Sequence, residues 1–318
     1  MRVIQICFSS FSASSPRACK SPTVSTRLLY NLTKVDRSGL DRDVMTDDLV
    51  QSIIRHSASL SPTQVSQAVW SMISLGINGG TVMSLPIKDS VGKMDATSVT
   101  RLVHLLHRVP PAESHSLWTP IVETVIGRLP EMSPVEVVTC CHSIAKAGLS
   151  APVVYRHLTD LLISPSGQTP HFDISTWQPR QVSLLIWCIS TSSCVNWDLM
   201  NLLLSRLPHL ALSPTDVACI LSGLARANFV CEDHILSSIP MAEIFSSPSN
   251  PPPSIHTLCT CLHSLARLGS SDDRFLASIR PPKHVFPPDM SSWLNQTTIL
   301  SILNTIVNQR PSVSLRGL

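Results

Sequence analysis

Three stretches of this chain open with the same signature: Ser61-Pro-Thr-Gln-Val, Ser133-Pro-Val-Glu-Val and Ser213-Pro-Thr-Asp-Val. Each joins a helix-capping serine to a proline at the first helical position, where a missing N–H costs nothing, and to an acid or amide at the third, which can bond back to the serine amide. About four turns later each closes on a residue that tolerates left-handed backbone: Gly76, Gly148 or Asn228. Weaker copies start at Asp95, Gln178, Ser254 and Asn295, so seven starts follow one another at spacings of 34, 38, 45, 35, 41 and 41 residues. Recurrence on that scale marks a repeat architecture and constrains the fold more than any compositional average.

Counted from the capping residue as zero, offsets 4, 7, 8 and 11 are apolar in nearly every copy. They are Val137, Cys140, Cys141 and Ile144 in the third, and Val217, Ile220, Leu221 and Leu224 in the fifth. On a helix these positions converge on one face. Second apolar segments lie between the copies, at 116–129, 153–163, 196–207 and 232–245. Each repeat therefore reads as a helical hairpin, which cannot bury its apolar face alone but shares a continuous core once stacked. The expected fold is all-α, an α-solenoid of six to seven stacked hairpins over 36–310, with 311–318 a C-terminal tail. Only 11 glycines and 5% aromatic residues, with no sustained apolar–polar alternation, argue against sandwiches, barrels and glycine-rich nucleotide-binding sheets.

Charge is placed unevenly along the chain. Arg2, Arg17, Lys20, Arg27 and Lys34 precede the first acid, Asp36, among seven serines; the remainder carries 19 cations against 21 acids, a net of −2. An Arg- and Ser-rich, acid-free start without a long apolar run has the composition of a mitochondrial transit peptide, so residues 1–35 are expected to be a disordered import leader and the protein to reside in the matrix. No run approaches the length of a membrane span. Six of the ten cysteines fall within the apolar helical segments without CxxC spacing, as small core residues would. The one tempting cluster, His256, Cys259, Cys261 and His263, turns Cys261 away from both histidines on a helix, so no metal is expected there.

Offsets 2, 9 and 13 project opposite the core and form an exposed stripe. Offset 9 reads Trp70, His104, His142, Trp187, Ser222, His263 and Asn304, and offset 13 reads Ser74, Arg108, Lys146, Thr191, Arg226, Arg267 and Asn308, so planar rings and cations recur one turn apart. Rings can stack unpaired bases while cations meet phosphates, a mode of binding that needs no large net charge. The competing account is structural: the helix macrodipole favours cations near helix C-termini, and rings at offset 9 can pack on a neighbouring hairpin.

The Ser-Pro-x-(Glu/Asp/Gln)-Val starts, Ala145-Lys-Ala-Gly148 and Leu265-Ala-Arg-Leu-Gly269 resemble the heptatricopeptide and octotricopeptide repeats of organellar RNA-binding proteins, relatives of the FAST-kinase-domain proteins that often end in a RAP domain. The likeness covers about 45–310, and no RAP domain is recognisable. It implies a partner among organellar transcripts or ribosomal RNA, with ribosomal or RNA-processing proteins as further partners. The pentatricopeptide plan is similar, but its period is nearly constant and this one is not. No G-x-S-x-G, H-E-x-x-H or phosphate loop is present, so neither catalysis nor a cofactor is expected. Two functions fit: an RNA-binding protein of organellar RNA processing, stability or ribosome assembly, and a non-catalytic protein scaffold of the same fold, for which the mature charge of −2 speaks, associated with the mitochondrial ribosome.

Overall fold

A computed structural model describes residues 21–34, 42–149, 151–163, 172–192, 195–229, 236, 239–247, 250 and 253–269. Among the described residues the regular structure is helical, without strands. The seventh start, Asn295, and the tail at 311–318 lie outside them.

All six remaining starts are N-caps. They open helices α3 (Pro62–Ser74), α6 (Ala96–Leu106), α8 (Pro134–Lys146), α10 (Pro179–Thr191), α12 (Pro214–Arg226) and α14 (Ile255–Leu268). Reciprocal capping boxes close at Ser61–Gln64, Ser133–Glu136 and Ser213–Asp216, satisfying amides that a helix start otherwise leaves bare. Gly76, Gly148 and Gly269 take positive φ just past their helices, and Asn228 does the same at φ 49°. The four apolar offsets of the copies from Ser61 through Ser213 are fully buried: Val65, Ala68, Val69 and Met72; Val99, Leu102, Val103 and Leu106; Val137, Cys140, Cys141 and Ile144; Val182, Leu185, Ile186 and Ile189; Val217, Ile220, Leu221 and Leu224.

The intervening segments are less uniform. They comprise α7 (Pro111–Arg128), α9 (Pro152–Ile163), α11 (Trp197–Leu204) and α13 (Met241–Ser246). After α3, however, two short helices, α4 (Gly79–Met83) and α5 (Ile87–Val91), stand where the hairpin reading expected one. Asn78 and Pro86 each restart the chain after a turn, so the polypeptide covers the same apolar strip in two pieces.

The expectation of disorder through residue 35 also needs correction. Pro22–Leu32 forms a helix, α1, followed by α2 (Arg42–Arg55), and α1 packs on both α2 and α3. Leu29 and Leu32 are buried, which a disordered leader could not achieve. Ser21-Pro22 is itself a cap followed by a first-turn proline. The acid-free, Ser- and Arg-rich composition masked a local helix signal. Residues 1–20 and 35–41 lie outside the described residues.

The chain divides into two compact units, 1–172 and 173–318. In the first unit α1, α3, α6 and α8 pack one on the next, and in the second α10, α12 and α14 do. One hydrogen-bond pattern recurs at three of these junctions. There the third-position side chain uses one polar atom on its own N-cap amide and sends the other to offset 2 of the preceding helix in the row, counted from that helix's cap. Gln64 Oε1 accepts from Ser61 N–H at 2.9 Å while its Nε2 donates to Thr23 at 2.8 Å. Glu136 accepts from Ser133 N–H at 2.9 Å and from the Thr97 hydroxyl at 2.8 Å. Asp216 accepts from Ser213 N–H at 3.1 Å, pairs with Arg180 at 3.7 Å and accepts from Ser183 at 2.9 Å. Small residues let the helices approach closely: a Cβ on Gly223 of α12 would lie 3.2 Å from Trp187 Cα in α10.

Among the described residues six thiols are free, with Cys140, Cys141, Cys188 and Cys261 buried. Burial pushes the Cys140 and Cys261 thiols up to about 12 and raises Cys141 as well. Cys261 lies in the core, whereas His256, Cys259 and His263 are exposed.

Candidate nucleic-acid interface

The nine rings and cations of the predicted stripe all reach the surface, and its Asn304 and Asn308 lie outside the described residues. His104, His263 and the cations Arg108, Lys146, Arg226 and Arg267 are exposed, and Trp70, His142 and Trp187 are half-buried. The reason is geometric: offset 9 lies away from the buried face of its helix, while offset 13 has passed the last buried turn. None of the nine belongs to the core.

Neighbouring copies bring several of them together. In the second unit the Arg226 guanidinium of α12 lies 5.4 Å from the Trp187 ring centre of α10, within cation–π range. Arg267 Nη2 donates to Asn228 Oδ1 at 3.4 Å, tying the end of α14 to the left-handed residue that closes α12. In the first unit the Trp70 ring packs on Tyr30 of α1, centroids 5.4 Å apart and planes tilted by 49°. The stripe is thus a set of inter-copy contacts as well as a surface, and the ring-packing alternative holds at Trp70 and Trp187.

The ends of α6 and α8 bring His104, His107, Arg108 and Lys146 together. His107, which the offset rule passes over, sits at offset 12; burial, then Arg108, His104 and Lys146, hold its pKa below the ordinary imidazole value. Burial and Arg108 do the same at His104. Both imidazoles therefore hold a proton less readily than a free one, and Arg108 and Lys146 supply the fixed charge. At the opposite ends of the helices the potential is reversed: hydrogen bonds from Ser98 hold Asp95 low, and at Glu136 bonds from Ser133 and Thr97 outweigh the upward push of burial. Anionic caps at N-termini and cations at C-termini both complement the helix dipole. They leave one edge of the first helices suited to meeting anions and presenting planar faces.

Sequence reasoning missed Tyr30, Lys34 and His107. Offsets 9 and 13 counted from Ser21 would have found the first two; only the fold brings the third beside Arg108. Among the described residues no helix is long and apolar enough to cross a membrane. No family model matches the chain, and no curated protein is significantly similar to it.

Proposed function

We propose that the chain is a non-catalytic RNA-binding α-solenoid of the mitochondrial matrix, acting on organellar transcripts or ribosomal RNA in processing, stability or ribosome assembly. The carrying observation is the recurrence of a surface-accessible ring at offset 9 and an exposed cation at offset 13, held in register by bonds at the opposite ends of the same helices. Within each unit these helices pack one on the next, as the copies along one edge of a solenoid do. Cations spaced along such an edge meet successive phosphates while partly exposed rings take unstacked bases. Residues 1–20, with Arg2, Arg17 and Lys20 and no acid, retain the import-leader composition once α1 is assigned to the folded part.

Purified protein titrated against labelled single-stranded RNA at several salt concentrations tests the binding. The variant with Arg108, Lys146, Arg226 and Arg267 all changed to Ala should bind more weakly and with a flatter salt dependence, by about 0.7 in log–log slope for each phosphate no longer neutralised. Unchanged affinity and slope in that variant, with its helicity intact, would sink the reading. Crosslinking in isolated mitochondria followed by sequencing would name the RNA, and a reporter fused to residues 1–45 tests import.

A specific pair of contacts favours the scaffold reading. Arg226 on Trp187 and Arg267 on Asn228 are already engaged within the chain. A protein partner would need those contacts left in place, whereas RNA would recruit the guanidinium groups from them.

A further inference from the structure

We infer that Ser21–Lys34 is an additional repeat start and that Tyr30 and Lys34 extend the ligand surface by one copy, as a stacking platform and phosphate contact for single-stranded RNA. The inference rests on the RNA reading above and adds residues to it in a segment whose composition suggested a leader.

Four independent features place α1 in the array. Ser21 precedes Ser61 by 40 residues, inside the 34–45 range of the other spacings. At offsets 8 and 11, Leu29 and Leu32 are buried against neighbouring helices; at offset 4, Ser25 is buried with its hydroxyl 3.1 Å from that of Ser52 in α2. Thr23, at offset 2, accepts from Gln64 at 2.8 Å, the position through which Thr97 meets Glu136 and Arg180 meets Asp216. Offsets 9 and 13 are Tyr30 and Lys34, a ring and a cation, as the stripe requires.

The geometry at those two positions suits a base. Lys34 Nζ lies 4.3 Å from the Tyr30 ring centre, and Tyr30 in turn packs on Trp70, so two rings and an ammonium form one continuous patch. Tyr30 is half-buried and Lys34 exposed, and among the described residues no carboxylate forms an ion pair with Lys34. A base entering this patch stacks on the accessible part of the two rings and draws the ammonium, which lies over the Tyr30 ring, onto its attached phosphate. A lysine serves as a point charge here, so arginine should replace it where alanine cannot.

The test is RNA titration of the full chain, carried out with a labelled single-stranded 20-mer over a range of salt, on the parent and on Lys34→Ala, Lys34→Glu, Lys34→Arg, Tyr30→Leu and Tyr30→Phe. Lys34→Glu should weaken binding roughly fivefold or more, and Lys34→Ala should lower the salt slope by about 0.7, while Lys34→Arg stays within about twofold of the parent. Tyr30→Leu should weaken binding roughly fivefold or more through weaker stacking, with Tyr30→Phe close to the parent. If Tyr30→Leu lowers the thermal midpoint, the exposed Lys34 series alone decides. Parent-like affinity and slope in both Lys34→Ala and Lys34→Glu, alongside a weakened quadruple cation variant, would overturn this inference and leave the RNA reading standing. A parent chain that binds no RNA overturns both.

Discussion

The two kinds of helix in this chain obey different rules. The first helices, α1, α3, α6, α8, α10, α12 and α14, span 11 to 14 residues, each entered through a cap, and five of them, α3, α6, α8, α10 and α12, bury all four core offsets behind the same cap position. The helices between them range from the five-residue α4 and α5 through the eight-residue α11 to the 18-residue α7, which accommodates Pro120 in its interior. The difference follows from what each helix must satisfy. Within a unit, an inner first helix contacts a copy of itself on both sides and bonds at offsets 2 and 3, so an inserted residue would turn its apolar offsets out of the core and break both junctions. A second helix has only to cover apolar surface, which one long helix or two short ones can do. Variation in the period, from 34 to 45 residues, therefore collects outside the first helices.

The sharpest way to break this contrast is to delete matched apolar volume in the two sets. Leu221→Ala, at a fully buried offset 8, should cost about 2–5 kcal/mol in chemical denaturation, against less than about 0.5 kcal/mol for Ile163→Ala at the half-exposed end of α9. Comparable destabilisation at the two sites would show that the first helices are not the privileged set. Caps come next. Ser133→Ala should cost about 1 kcal/mol in the same measurement, and a double-mutant cycle of Thr97→Val with Glu136→Ala should return a coupling of about 0.5–1 kcal/mol, since the junction bond exists only when both partners are present.

Titration sharpens the comparison further, because the shifted groups lie at the two ends of the first helices. Asp95 and Glu136 are held below their ordinary values of 3.8 and 4.5, so the folded state binds these protons less readily than the unfolded chain. Their contribution is complete above those values and is lost as pH falls through the lowered ones. His104 and His107 are likewise held below 6.5, so unfolding midpoints should begin to fall as pH drops below 6.5, and His107→Asn should remove part of that slope. A midpoint flat between pH 7 and pH 5 in the parent would contradict the described setting of the two imidazoles. The smallest expected change is a gain: Asn228→Gly relieves a non-glycine residue at φ 49° by a few tenths of a kcal/mol, partly offset by removal of the bond from Arg267.

Local signals carried most of the first-helix layer into view. Ser, Pro and an acid or amide at fixed offsets act within a single turn, and so the N-caps at Ser61, Asp95, Ser133, Gln178, Ser213 and Ser254 could be read without knowledge of any neighbour. α1 escaped because its third position is Val24 and no capping box can form, which let the surrounding composition decide. The division into α4 and α5 escaped for a related reason: apolar residues at 82, 85, 87 and 91 fit one broken helix or two separate ones equally well. Of the candidate surface, exposure was legible from helical angle alone. The pairings Trp187–Arg226, Tyr30–Trp70 and His107–Arg108–Lys146 were not, since all but the adjacent His107–Arg108 step join residues in different helices, and neither spacing nor period encodes which flank meets which.

The buried thiols give this molecule an internal stopwatch. Alkylating reagents need an accessible thiolate, and Cys140 and Cys141 in α8 and Cys261 in α14 offer neither while their helices stay packed. Exposed Cys259, on the same helix as Cys261, would react at once and mark time zero. Labelling read by peptide mass spectrometry then resolves breathing in each unit separately, 1–172 through the vicinal pair and 173–318 through Cys261, with no foreign probe introduced.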